Sequence, residues 1–426
     1  MKRLLSCLLC AAAVISAAAQ EEKEMKTGWT FGLLPSITYS SDLGLQYGAF
    51  GDVYYYGNGN TYPDPLHKIS WEASHFTKGR TRLYLAYDSK YLIPGMRVNA
   101  SVTYMDDPMY GFWGFNGSAS GFDKEYWSNK ETHINHYGMG RKMFRALANV
   151  QGHISEHLNW AAGLNFWNWK MTDMAEKYGY DIHETLYTLY QGVGAIHPDE
   201  AHGGNALEIN AGLVYDTRDI EAAPNKGIWA EAYLNGNILQ HKYLKACLYF
   251  RQYIDIPIHF RAGDPVFAYR LAWQQTIAGE TPFYMIQNIP LLVQRNMITE
   301  GFGSYNTIRG MHDNRILAEG FAWANTELRI KLVSFKLFNQ FFYIATNPFF
   351  DCGVITKAYR DNILSTTIAD KSIYDSSLKG TFLYTAGAGL KIAMNQNFIV
   401  SAEFSHNFNK GLGDPVTISI GTNYQF

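Results

Sequence analysis

Strict apolar–polar alternation recurs along this chain. In the last segment Val416, Ile418, Ile420, Tyr424 and Phe426 are interleaved with Thr417, Ser419, Gly421, Asn423 and Gln425. Met96, Val98, Ala100, Val102 and Tyr104 alternate with Arg97, Asn99, Ser101 and Thr103. Leu207, Ile209, Ala211, Leu213 and Tyr215 form a third such set, and Phe398, Val400, Ala402 and Phe404 a fourth. Period two sends one set of side chains to each face of an extended strand, which is how a lipid-spanning strand is written. A soluble sandwich also alternates, but it has less use for Tyr and Trp at strand ends, where a membrane interface favours them.

Composition narrows the choice. Charged residues make up 17% of the 426, below the usual ~25%. Aromatics make up 15%, with Tyr 30, Phe 25 and Trp 10. Disorder is excluded by that aromatic and β-branched content. After the N-terminus no run approaches the ~18 apolar residues of a spanning helix. The formal charge of -2 gives no footprint for nucleic acid.

Sixteen alternating segments can be placed, from about 27–39 to about 415–426, with ends uncertain by a few residues. An even count suits a bacterial barrel. The long gaps, about 107–136, 172–204, 280–316 and 356–380, all follow odd-numbered segments. Barrels have short periplasmic turns and longer outer loops, so this parity puts the N-terminus inside. The expectation is an all-β chain: a 16-stranded antiparallel transmembrane β-barrel with a long sixth outer loop inserted into its lumen. Within the loop near 172–204, Asp181 and Glu184 have capping-box spacing ahead of Leu186 and Leu189.

Lys2 and Arg3, the apolar Leu4–Ala18 and the small residues before Gln20 read as a secretory signal over 1–19. Residues 20–426 then form one barrel domain. Cys7 and Cys10 leave with the signal; Cys247 and Cys352 are expected as free thiols on separate strands, although two cysteines could bridge.

Three stretches carry a family likeness. The first is Gly212-Leu213-Val214-Tyr215-Asp216-Thr217-Arg218-Asp219, followed by Pro224 and Gly227. The second is Ile308-Arg309-Gly310-Met311 in the gap after segment eleven. The third is Asn325-Thr326-Glu327-Leu328-Arg329 with Pro348-Phe349-Phe350-Asp351-Cys352-Gly353. In order and spacing they resemble the BamA/TamA family, the bacterial surface antigen superfamily of outer-membrane barrels. The resemblance implies that Arg309 locks the sixth loop to the inner wall. Alternation turns Glu327 inward with Asn325 and Arg329, and turns Asp351 inward with Gly353. A guanidinium fork suits two such acceptors, so an Arg309–Asp351 or Arg309–Glu327 contact is expected.

Two features depart from the family. Only about seven residues separate Gln20 from the first segment, so no POTRA domain is expected there. Met311 stands where the family has an aromatic, and Met can fill the same cavity. The resemblance also implies a seam between the first and last strands. Pro35 in the first lacks a ladder donor, and Tyr424 and Phe426 lie at the end of the last. Phe426 with its alternating approach resembles the signal by which barrels are themselves recognised for insertion.

No catalytic set converges. G-x-S-x-G, H-E-x-x-H and P-loop patterns are absent, and His133 with His136 lacks further ligands of matching spacing. The Glu327–Asp351 pair beside Arg309 stays ionised, which suits structure rather than general-acid work. No enzyme, cofactor or metal is expected. The resemblance implies outer-membrane location, lipid around the wall, outer-membrane or secreted protein clients, and separate periplasmic subunits. The alternative is a passive pore or structural barrel without assembly activity.

Overall fold

The computed structural model describes residues 26–40, 42–62, 64–124, 136–173, 185–220, 223–290, 301–337, 340–394, 398–422 and 424–426. The expected signal segment and His133 lie outside them. Sixteen antiparallel strands follow in sequence order around a closed barrel. They are β1 (Trp29–Ser40), β2 (Gly44–Tyr55), β3 (His67–Phe76), β4 (Thr81–Ile93), β5 (Met96–Gly111), β6 (Gly138–His153), β7 (Leu158–Asp173) and β8 (Gly203–Asp216). The second half holds β9 (Gly227–Asn237), β10 (Tyr243–Asp255), β11 (Val266–Gly279), β12 (Gly320–Leu337), β13 (Gln340–Lys357), β14 (Leu383–Met394), β15 (Phe398–Asn407) and β16 (Val416–Thr422). Two short α-helices are described, α1 (Leu186–Gly192) and α2 (Asp361–Thr367). No helix among the described residues is long and apolar enough to cross a membrane, which says nothing about strands.

The alternation sorts inner wall from outer wall. On β10 and β11 Leu248 and Leu271 are exposed, while Cys247, Tyr249 and Ala272 are buried. On β15 Phe404 is exposed between the buried Glu403 and Ser405. Leu, Ile, Val and Phe therefore dominate the outside, and charged, amide and hydroxyl groups line the inside.

Three strand ends differ from the sequence reading. β5 continues to Gly111 through Asp106-Asp107-Pro108, with a register shift between Asp107 and Tyr110. The inward Asp107 is tolerated because Arg80 and Arg141 both bond it. β12 continues to Leu337 because a bulge between Lys331 and Val333 resets the alternation. β16 stops at Thr422 instead of running to 426, so Tyr424 and Phe426 leave the outer face they were expected to join. The helix expectation also changes. α1 is capped by Thr185, whose side chain accepts from the Thr188 amide at 3.2 Å; Asp181 and Glu184 lie outside the described residues.

At the barrel end that carries the long connections, described loop segments pack into an apolar cap. Phe112, Trp113 and Phe115 after β5 meet Tyr187 and Tyr190 of α1, Phe283 and Tyr284 after β11, and Tyr359 and Tyr374 after β13. Phe115 stands edge-on to Tyr359 with ring centres 4.7 Å apart. Asn116, in the left-handed region at φ 64°, donates to the Tyr359 carbonyl and accepts from the Tyr359 amide.

Candidate functional site

Four neighbouring strands present polar groups to one patch of the inner wall. β12 supplies Asn325, Glu327 and Arg329, β13 supplies Asn347, Phe349 and Asp351, β14 supplies Lys391 and β15 supplies Glu403. All are buried. The connection between β11 and β12 brings Arg309 against them.

Arg309 is almost fully enclosed. Its Nε and Nη2 donate to the two oxygens of Asp351, both at 2.8 Å. Nη1 donates to Glu327 Oε2 at 3.0 Å and lies 3.7 Å from Glu403 Oε1. Its own amide donates to Asp351 Oδ2 at 3.0 Å. The guanidinium carbon lies 3.6 Å from the centre of the Phe349 ring. Arg329 Nε donates to the other Glu327 oxygen at 2.7 Å, and Lys391 Nζ donates to Glu403 at 2.5 Å. Three cations thus face three carboxylates, the balance that burial of charge requires. Arg309 engages both Asp351 and Glu327, so the two contacts expected as alternatives occur together.

The flanking residues explain how the connection fits. Gly310 has φ +89°, and a Cβ there would lie 2.9 Å from Ser405 Cβ. Met311 sits in an apolar cluster with Phe302, Ile308, Ile316 and Phe321. The Phe302 and Phe321 rings stack at 4.7 Å. A Cβ on Gly353 would come within 2.4 Å of the Phe302 ring, so only glycine leaves room for that stack.

The turn motif after β8 lies apart from this cluster. Asp216 accepts from Arg218 Nε at 2.9 Å and from Nη2 at 2.7 Å. Asp219 gathers the amides of Ile220 and Asn225. Tyr215 points outward. The link to the cluster is indirect: Arg329 Nη1 reaches the Pro224 carbonyl at 3.5 Å.

The junction of first and last strands is short. Among the described residues β1 pairs with β16 at Tyr39↔Ile420 and Ser40↔Ser419 only. Pro35 sits opposite Ala49 of β2, and Trp29–Thr38 show no β16 partner. Pro35 lies within this stretch. Beyond β16 the chain turns inward. Tyr424 lies under the Arg329 guanidinium at 4.1 Å, and Arg329 Nη2 donates to the Phe426 carbonyl at 2.5 Å. Phe426 packs on Tyr253, Val266 and Ala268. Gln425 Nε2 donates to the Tyr305 carbonyl at 2.7 Å and the Thr307 carbonyl at 3.2 Å.

The outer end of the junction is tied by His312 of the β11–β12 connection. Its Nδ1 bonds Asp42 of the β1–β2 turn at 2.5 Å, and its Nε2 lies 3.9 Å from Asp414 before β16. The Asp313 amide donates to Asp42 at 2.6 Å. Burial alone would disfavour the charged imidazole, but the Asp42 charge and hydrogen bond outweigh it and raise the His312 pKa. Asp42 is lowered reciprocally, against its own burial.

Sequence reasoning assigned no role to Phe349, which it quoted only within a motif, or to Asn347, Lys391, Glu403 and His312. Glu403 and Lys391 carried a signal, as charges on the polar face of otherwise apolar strands. His312 carried none, because its partners are 270 residues upstream and about 100 downstream. Cys247 and Cys352 are unbridged. No group of three or more metal-type ligands occurs among the described residues.

No protein-family model matches the chain, and no curated protein matches its sequence. Among solved structures it is similar to BamA from Haemophilus ducreyi lacking POTRA domains 1-3, at TM-score 0.57 and 16% identity, over 93% of this chain and 70% of that one. CdiB from Escherichia coli is similar at TM-score 0.59 and 9% identity, over 94% and 63%. CdiB from Acinetobacter baumannii is similar at TM-score 0.50 and 12% identity, over 93% and 60%. The chain therefore spans between 60% and 70% of the lengths of these structures. At such identities the likeness is one of fold, and the fold is a BamA-like closed barrel of sixteen strands.

Proposed function

We propose that this chain is an outer-membrane protein of BamA/TamA type. In this reading its apolar outer wall faces lipid, and it assists insertion or translocation of other proteins. The observation that carries the proposal is that, among the described residues, Trp29–Thr38 of β1 have no ladder partner in β16. A strand edge offers unpaired N–H and C=O groups at the spacing of another strand, so an extended client segment can pair there before it has any fold of its own. Arg309 holds the β11–β12 connection to the wall, so that this segment stays inside while the seam changes. Separate periplasmic subunits act at the short-turn end. The chemistry is that of a non-enzymatic template: pairing and release, with no covalent step.

The apolar cap favours this reading over a passive pore. Trp113, Phe115, Tyr190 and Tyr359 are all buried in one apolar cluster of packed loop segments at one end of the barrel.

The test is photocrosslinking from Phe31 and Leu33 in native outer membranes, with and without an oxidised S40C/S419C pair across the junction. Adducts with outer-membrane or secreted proteins that disappear on oxidation support the proposal. Barrel without adducts in both states would replace it with a stand-alone structural protein.

A further inference from the structure

Two arginines stand side by side on the inner wall, in the register row that continues through Asn325 to Asp351. Arg251 of β10 and Arg270 of β11 are direct register partners. Like charges directly opposite on one sheet face repel. Both side chains are buried, Arg251 at 7% exposure and Arg270 at 5%.

Among the described residues neither guanidinium is hydrogen-bonded to a carboxylate, and acidic groups act on them only at longer range. Arg270 donates to Asn325 Oδ1 at 2.8 Å and to the Asn306 carbonyl at 2.8 Å, both neutral acceptors. Arg251 lies on the Trp229 ring at 4.1 Å, and its buried Nε meets no acceptor. No hydrogen bond of Arg251 to a described residue is found. Asp216, beyond Trp229 in the register, is already gripped by Arg218 through both oxygens. Asp351 is held likewise by Arg309.

Between these groups lies a cavity of about 90 Å³, lined by Arg251, Arg270, Tyr249, Thr307, Trp323 and Gln425 among others. One water needs roughly 10–15 Å³ on this measure, so a tetrahedral oxyanion fits. We infer that the cavity is a binding site for a compact oxyanion of phosphate type. A bidentate oxyanion would satisfy the Arg251 fork, cancel the Arg251–Arg270 repulsion and match the planar donor geometry of guanidinium. Its place matters, because the cavity wall combines the strands with Thr307 of the β11–β12 connection and Gln425 of the tail. Occupancy therefore ties both inward segments to β10 and β11.

The test uses the purified full-length barrel in a zwitterionic detergent. Inorganic phosphate is titrated against chloride at equal ionic strength, and the heat-modifiable unfolding midpoint is read. The expected result is a saturable rise of a few degrees in the wild type, absent in a folded R251Q variant. An equal rise in R251Q, or no rise in the wild type, overturns the site. Should R251Q fail to fold, phosphorus NMR of inorganic phosphate with the wild-type barrel decides. Broadening that sulfate relieves supports the site, and an unbroadened line removes it. Nanodiscs containing phosphatidic acid in phosphate-free buffer separate the sources. An Arg251-dependent shift there assigns the oxyanion to a lipid headgroup, and its absence beside a positive phosphate titration assigns it to the free ion.

Discussion

The β12–β13 wall and the β1–β16 junction are both antiparallel pairs in one barrel, yet they are built oppositely. β12 and β13 pair from Gly320↔Lys357 to Leu337↔Gln340, interrupted by register shifts at Gly320/Phe321 and Lys331/Val333, and their inner faces hold the carboxylates that bind Arg309. Among the described residues β1 and β16 meet at Tyr39↔Ile420 and Ser40↔Ser419, and side chains from a distant connection help hold them. The first pair is secured by its own ladder and by buried charge. The second is secured at one end by a loop. Among the described residues, ladder pairing is thus graded around the circumference and is shortest between the first and last strands.

The largest expected effect is on the strong side. Arg309→Ala leaves Asp351 and Glu327 buried without their partner, a loss of about 3–5 kcal/mol. Heat-modifiable migration and limited proteolysis within 301–319 should both report it; unchanged behaviour would mean that the wall does not depend on the cation. Next, oxidising an S40C/S419C variant should stabilise the weak side by about 2–4 kcal/mol. Hydrogen exchange of β1 amides should slow on oxidation while β12–β13 amides stay as they were. If β1 already exchanges as slowly as β13 in the reduced protein, the contrast collapses.

The His312–Asp42 tie should contribute roughly 1.5–3 kcal/mol, as hydrogen bonds to charged groups do. The raised His312 pKa makes its share fully present below about pH 6.5 and lost as pH climbs through the folded value. The lowered Asp42 pKa makes its share present above about pH 3.9 and lost as acid titrates the folded carboxylate. The outer end of the junction should therefore be tightest between these limits and loosen towards alkaline pH. Asp42→Asn should flatten the alkaline part of that profile, as read by exchange of residues 42–47. The smallest effect is expected at Arg218, whose partner Asp216 is 30% exposed. Arg218→Ala should change stability by about 1 kcal/mol or less.

The strands were legible because period-two alternation is a local property. In the Arg309 cluster the inward facing of Glu327 and Asp351 was legible from counting by twos, whereas the part of Arg309 was implied only by the family resemblance of residues 308–311. Lys391 and Glu403 were visible as charges on the inward face, but nothing local says which partner each of them meets. The β12 extension was hidden by adjacent Leu332 and Val333, which break the pattern unless a bulge is assumed. The tail was misread for a deeper reason. Tyr424 and Phe426 continue the alternation of β16 in sequence, but two arginines inside the barrel offer their rings and carbonyls a better environment than an unpaired edge does. Competition between distant partners leaves no trace in the local pattern.

That competition gives the tail a meaning as spare length. Continuing the register of Tyr39↔Ile420 would set Tyr424 opposite Pro35 and Phe426 opposite Leu33. The same residues cannot lie against Arg329 and Arg270 while zipped to β1. The final strand is therefore adjustable: chain stored in the interior is chain withheld from the rim. In the proposed templating role, an extended segment pairing with β1 would compete only with the few residues that the arginines hold inward.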